Sequence, residues 1–304
     1  MNKVEFTPIG YIETCFKQKT GCPRQSLIVP KARGILKITY EKDVQNLNTI
    51  QLVEGLEGFS HIWLFWVFHQ NNADARIKTK VKPPRMDGEK IGALACRSPY
   101  RPNPLGMSIV KLDKIVEDKE CTGRAVLHLS GVDLVDQTPV IDIKPYIPMY
   151  DIITENHIPG GPTVSNWMAN MPRQQISIPH VSFSIDAELQ LKNLVDAKKL
   201  QFYDNIDDAK EVIRDIISLD PRSKYRREKC NKELLGFGFD IMNLRCKIEG
   251  EHALVVEVED WSKGMPYSKE ELKQRARSER FENLNPVDYG KDGEEPDVKR
   301  QKLE

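Results

Sequence analysis

"FSHIWLFWVFHQ", residues 59–70, decides how the chain is read. Its side chains fall into two alternating sets: His61, Trp63, Phe65, Val67 and His69, then Ile62, Leu64, Trp66 and Phe68. Aromatic and branched residues in this pattern make a strand, and apolar residues in both sets call for cover on both faces. Such a strand belongs in the middle of a barrel wall or beneath a contact with a second copy of the chain. The run "IWLFWVF" at 62–68 is too short to cross a bilayer.

Similar segments lie on either side. "VEFTPIGYIET" and "ARGILKITY" precede it; "IGALACRS", "MSIVKLDKIVE", "GRAVLHLSG" and "TPVIDIKPYI" follow. Only 42–53 offers a helical spacing between them. Seven strands without strand–helix alternation predict a barrel or closed sheet, not a doubly wound fold. "HIPGGPTVSNWMANMPRQQISIPH" breaks all periodicity and reads as a linker. Amphipathic helices over 186–200 and 205–218 come next, then strands "LLGFGFDI", "NLRCKIEG" and "HALVVEVED". Past Trp261 the chain is densely charged, with one solvated helix in "SKEELKQRARSERFE" and a disordered end. The expected class is mainly β. A seven-stranded barrel-like domain over 1–150 is followed by a linker over 151–181, a small α+β domain over 182–262 and a charged tail over 263–304.

Equal numbers of acidic and basic residues, 45 of each, leave no global field, so an anion-binding surface has to come from local clustering. The six cysteines include no CxxC pair, which argues against a disulfide framework or a zinc site and for a reducing compartment. "MNKVEFTPIG" has no apolar core of a secretory signal, so the cytoplasm is the expected location, with no membrane partner. "KRQK" at 299–302 leaves room for a nuclear pool. No phosphate-loop or dinucleotide fingerprint occurs; "GFGFD" at 236–240 belongs to a terminal strand.

One segment is both stiff and basic. "CRSPYRPNPLGMS" (96–108) carries three prolines and two arginines. It follows a stretch with Arg76, Lys78, Lys80, Lys82, Arg85 and Lys90, opposed only by Asp74, Asp87 and Glu89. Proline fixes the backbone before binding, so little entropy is lost on contact with phosphate or a ligand carboxylate. Downstream, Asp133 and Asp136 share a turn, and Asp142 with Lys144 lies on the next strand. His61 and His69 are too far apart along one strand to share a metal, and no metal site is expected. A core hydrogen bond suits His61, whereas His69 sits where the strand ends and binding is open to it. Cys96 reads as a structural cysteine in a buried strand rather than a nucleophile.

These motifs, in this order, resemble one family. "PIGYIET", "CPRQ", "GLEGFSHIWLFWVFHQ", "VKPPR", "ACRSPYRPNPLGMS" and "VDLVDQTPVIDIKPY" are similar to the TsaA-like domain of the TrmO family, over about residues 4–150. "DPRSKYRREK" at 220–229 resembles the family's C-terminal motif. The resemblance implies a homodimeric β-barrel tRNA methyltransferase. It would use S-adenosylmethionine to methylate N6 of threonylcarbamoyladenosine beside the anticodon of threonine tRNA. Carried over by motif, the donor site would draw on Pro23, Arg24, Gln25, His69, Gln70, Arg97, Met107 and the turn Asp133, Leu134, Val135 and Asp136. Asp136 ahead of Asp142 is the expected catalytic base, and Lys78, Lys80, Lys82, Arg85 and Arg101 are the expected contacts to the anticodon arm. Many relatives have glycine where this chain has Gln137, so a turn of different shape is expected there if positive φ is needed. The alternatives are a non-catalytic RNA-binding barrel that keeps a nucleoside ligand, and a methyltransferase acting on protein or small molecules.

Overall fold

Six of the seven expected strands close into an antiparallel barrel in the order β1–β2–β7–β6–β3–β8. They are β1 (Gly10–Thr14), β2 (Arg33–Ile38), β3 (His61–Val67), β6 (Leu105–Glu117), β7 (Ala125–Ser130) and β8 (Thr138–Pro145). Between β3 and β6 a separate two-residue ladder pairs β4 (Lys80–Val81) with β5 (Ile91–Gly92). The structure, a computed structural model, describes residues 5–39, 47–71, 78–83, 86, 88–154, 161–169, 176–229 and 234–262.

Within β3 the two sets separate by face. Ile62, Leu64 and Trp66 are buried inside the barrel with Ile12, Leu36, Val110, Leu127, Leu129 and Val140. Trp63, Phe65 and Val67 face outward and are half-buried. Part of that outer face is covered by the short helices' first member after the barrel: the Trp63 indole donates to Asp151 at 3.1 Å and meets Tyr146 edge-on.

"IGALACRS" is the segment that does not become a barrel strand. Its alanines form a single 3-10 turn at Ala93–Ala95, anchored by Ala93 N–H to the Thr79 carbonyl at 3.0 Å. Prolines at 99, 102 and 104 then deny the chain the regular donors a ladder needs. Cys96 is therefore in a partly exposed loop rather than a buried strand, with its thiol near the Ala93 carbonyl. Of the helical spacing at 42–53, the described part forms α1 (Thr49–Leu52).

After the barrel come α2 (Pro148–Asp151) and α3 (Asn166–Ala169), then β9 (His180–Phe183). The helices expected over 186–200 and 205–218 are α4 (Ile185–Asp196) and α5 (Ile206–Ser218). Ser184 caps α4 by accepting from Ala187 N–H, and Asn205 caps α5 by accepting from Asp208 N–H. In α5, Ala209, Val212, Ile213, Ile216 and Ile217 are buried, the spacing of a single apolar stripe. A short basic helix, α6 (Lys224–Lys229), leads to β10 (Leu235–Phe239), β11 (Met242–Glu249) and β12 (His252–Asp260). These strands form a sheet in the order β10–β11–β12–β9, with β9 parallel to β12. Residues 263–304, expected to be a solvated helix and disordered end, lie outside the described residues.

One buried cluster runs from the barrel into the second sheet and its helices. Polar ties accompany it. Tyr203 donates to the Lys31 carbonyl at 3.1 Å, and Lys31 and Arg33 reach Asp208 at 2.8 and 3.1 Å. Asp240, in the left-handed region at φ 54, accepts from Gln201 and Phe202 N–H at 2.9 Å each and donates its own N–H to the Cys15 carbonyl. Asp220, at φ 48 just past the end of α5, grips Arg222 through two contacts of 2.7 and 2.9 Å.

Candidate active site

The turn joining β7 to β8 carries two carboxylates, each bound into a different group of side chains. Asp133 accepts a hydrogen bond from Ser108 Oγ at 2.6 Å. The Cys22 thiol approaches its carbonyl at 3.4 Å. The Ser26 N–H and the Arg97 guanidinium face the same carboxyl and lower its pKa, but burial outweighs them and pushes it up to about 6. Arg97 is in turn held by Gln25 Oε1 at 2.6 Å. Asp133, Gln25, Arg97 and the stiff loop thus meet at one barrel rim.

Asp136 forms the second group. Thr14 N–H donates to its Oδ1 at 2.8 Å and Lys17 lies 3.1 Å from its Oδ2. The turn is pinned to β1 by Asp136 N–H to the Phe16 carbonyl and Gln137 N–H to the Ile12 carbonyl, both 2.8 Å. His69 stands near the same carboxylate. Partial burial, with the Lys19 cation adding to it, holds its imidazole below the usual range against a raising bond to Val67 and the Asp136 charge. Lys19 also donates to the Gln70 carbonyl at 3.2 Å.

Gln137 has φ 61, so the turn keeps the left-handed conformation that suits glycine and a non-glycine residue adopts it. The expectation of a differently shaped turn is corrected: backbone bonds on either side hold the conformation. Leu134 is fully buried with its carbonyl bound by Thr14 Oγ1 at 2.8 Å, and the Val135 carbonyl accepts from Thr138 Oγ1 at 2.5 Å. Both shape the turn from the core side. Pro23 is buried and Arg24 is exposed beside Gln25, whose amide donates to the Arg24 carbonyl at 2.6 Å.

Two expected site residues are not brought to this rim. Met107 is 45% exposed and points out of the barrel. Met107 pairs with Phe65, and Phe65 pairs with Asp142, so the three form one row across the outer wall. Asp142 bonds the Ile143 N–H and lies 2.8 Å from Lys144. Asp142 is the fifth residue of β8, whereas Asp136 belongs to the turn before that strand, so the two carboxylates sit in separate groups of side chains. What alternation places inward are Met107's neighbours, Gly106 and Ser108, both buried. Ser108 and Trp66 are the residues bonded towards Asp133 that motif reading passed over; the signal was Ser108 as a polar residue in the inward set of an apolar strand.

In the basic loop, Lys78 lies over the Tyr100 ring at 4.5 Å from its centroid, and Lys80 and Lys82 are exposed. The Arg101 Nη1 donates to the Cys96 carbonyl at 2.7 Å and approaches that of Ser98 at 3.4 Å, bracing the loop from within. Asn71 closes the other side by donating to the Pro99 carbonyl at 2.8 Å. Arg76 and Arg85 lie outside the described residues. His61 bonds Ser60 Oγ at 2.9 Å. Among the described residues, no group of three or more His, Cys, Asp and Glu is gathered closely enough to hold a metal ion, and no helix is long and apolar enough to cross a membrane.

A closed antiparallel barrel with paired carboxylates in one turn and a braced arginine loop at its rim defines a class distinct from the doubly wound nucleotide folds. Residues 11–152 match the family model described as the tRNA-methyltransferase O N-terminal domain. A protein of Escherichia coli K12 named tRNA (adenine(37)-N6)-methyltransferase is 34% identical over 229 residues, 75% of this chain and 86% of that protein. The chain belongs to the tRNA-methyltransferase O family. A mouse protein of the same name is 49% identical over 144 residues, 47% of this chain but 31% of the mouse protein. The chain likewise spans less than two thirds of a Pseudomonas aeruginosa relative, 63%, and of a rat relative, 31%. A crystal structure of TrmO from Pseudomonas aeruginosa superposes with a TM-score of 0.61 at 28% identity, covering 85% of this chain and 99% of that one.

Proposed function

We propose that the protein is an S-adenosylmethionine-dependent methyltransferase acting on N6 of adenine 37 in tRNA, with threonylcarbamoyladenosine of threonine tRNA as its substrate. The observation that carries this is the meeting of Asp133, Arg97 and Gln25 at one barrel rim in a chain of this family. The relatives' names support the modified atom.

The rim's chemistry fits such a donor. Asp133, ionised above about pH 6, accepts from an ammonium group or ribose hydroxyls. Arg97, fixed by Gln25, offers a paired contact to a carboxylate. S-adenosylmethionine, when bound, supplies a sulfonium methyl group that is already activated. The chain's task is alignment and removal of one proton. The substrate nitrogen is conjugated to a carbonyl and is a weak nucleophile, so a base assists. Asp136 takes that part: Thr14 fixes one oxygen, and the other keeps a lone-pair site beyond its contact with Lys17. Pro23, Arg24, His69, Gln70, Leu134 and Val135 complete the donor site.

Lys78, Lys80 and Lys82, with Arg85 and Arg101 of the same loop, serve the anticodon arm. A homodimer is part of the proposal. Leu105, Met107 and Phe65 give the outer wall an apolar face for a second copy, which would also bring Asp142 against a partner. The cytoplasm is the proposed location.

Nucleoside mass spectrometry of tRNA from cells with and without the gene tests the activity. Loss of N6-methyl-threonylcarbamoyladenosine is expected, and an unchanged level refutes it. With purified protein, Asp136→Asn should lose turnover while keeping donor affinity. Tight donor binding without methylation of any tRNA would instead support the non-catalytic module.

A further inference from the structure

The barrel interior is apolar except near its rim, where three side chains form a polar chain. The Trp66 indole N–H donates to Ser108 Oγ at 3.0 Å, and Ser108 Oγ donates to Asp133 Oδ1 at 2.6 Å. Direction is set by chemistry. An indole N–H can only donate, so the hydroxyl must accept from Trp66 and its own proton is left for Asp133. Both Trp66 and Ser108 are buried, at 7% and 2% exposure, so water does not compete for these bonds. The indole reaches this position only because residue 106 is glycine. A Cβ there would lie 2.3–2.6 Å from three of its ring atoms.

We propose that Trp66 and Ser108 are positioning residues: a one-way relay from indole to hydroxyl to carboxylate that orients Asp133 and holds it ionised for the methyl donor. The proposal rests on the reading that Asp133 belongs to the donor site. Burial is the main force driving this carboxyl towards its neutral form, and the Ser108 bond is the largest force opposing it. A charge-assisted bond inside a protein is stronger than one in water, so its loss is felt as a change in protonation and not only in packing.

The relay is tested first without ligand. The indole resonance of Trp66, assigned by its disappearance in Trp66→Phe, is followed from pH 4.5 to 8 by heteronuclear NMR. It should titrate with a midpoint near 6 and stop titrating in Asp133→Asn. Donor affinity is then measured by calorimetry with S-adenosylmethionine at pH 6.5 and 8.5. Ser108→Ala should weaken binding roughly threefold at pH 6.5 and leave it almost unchanged at pH 8.5, where the carboxyl is ionised either way. Ser108→Thr, which keeps the hydroxyl, should behave as wild type. Trp66→Phe keeps an aromatic side chain without the N–H donor and should move affinity in the same direction by less. An indole signal that stays fixed across this range, or Ser108→Ala with wild-type affinity at both pH values while Asp133→Asn loses affinity, overturns the relay. A titrating indole together with wild-type donor affinity in Asp133→Asn would leave the relay standing and remove Asp133 from the donor site, so the two failures are told apart.

Discussion

Asp133 is the residue at which stability and function pull in opposite directions. Its folded pKa of about 6 stands above the value near 3.8 of a solvated carboxyl. Between those two values the native state binds more protons than the unfolded state, so stability falls as pH rises through the window. Above pH 6 the full cost of the enclosed charge remains, on the order of 2 kcal/mol after allowing for its partial exposure. Asp133→Asn keeps the shape and the Ser108 bond but removes the charge. The variant should be more stable than wild type by about that amount at pH 8 and equal to it below about pH 4. Urea unfolding at the two pH values checks this; an equal gap at both would mean that the charge is not the cause. The sequence placed Asp133 in a turn and, through family motifs, beside a donor. It did not reveal the enclosure, because Ser108, Cys22 and Ser26 that surround it are 25, 111 and 107 positions away in the chain.

At the scale of elements, period-two alternation identified the strands but not which set faced inward. In β6 the inward set is Gly106, Ser108 and Val110, and the outward set includes Met107. Motif matching chose Met107 because a motif has no faces. Gly106→Ala shows what the distinction costs. Glycine in a strand is ordinarily a weakness, and alanine would gain about 0.5–1 kcal/mol from a stiffer unfolded chain. Here the new Cβ would meet the buried Trp66 ring at 2.3 Å, so overpacking should outweigh that gain and destabilise the protein by about 2 kcal/mol. A lowered urea midpoint with altered Trp66 fluorescence is the expected result, and an unchanged or raised midpoint would contradict it. The one strand read in excess, "IGALACRS", had branched and apolar content at its start but alanines and then prolines after it. Composition over eight residues hid that change, which the backbone resolves as two ladder residues and a 3-10 turn.

Across the whole molecule the zero net charge conceals an uneven distribution. In the second sheet and its helices four lysines and arginines are neutralised in place by neighbouring carboxylates. Arg245 pairs with Glu257, Lys247 with Glu249, Lys199 with Asp260 and Lys210 with Glu188. On the barrel, Lys31 is held between Asp208 and Glu211. Lys80 and Lys82 have no ion pair among the described residues, and Lys78 rests on the Tyr100 ring instead of a carboxylate. The sequence revealed this loop because its charges are close together along the chain, while the neutralised ones needed the fold to bring partners together. A phosphate backbone should therefore register on the loop and not on the sheet. Replacing Lys78, Lys80 and Lys82 together by alanine should weaken tRNA binding and reduce the slope of log affinity against log salt by about two. The matched change at Lys199, Lys210 and Lys247 should leave the slope unaltered, because those cations displace no counterions from RNA. Binding measured between 50 and 200 mM salt (a range of about fourfold) separates the two. Equal slopes for both triple variants would place the RNA elsewhere on the molecule.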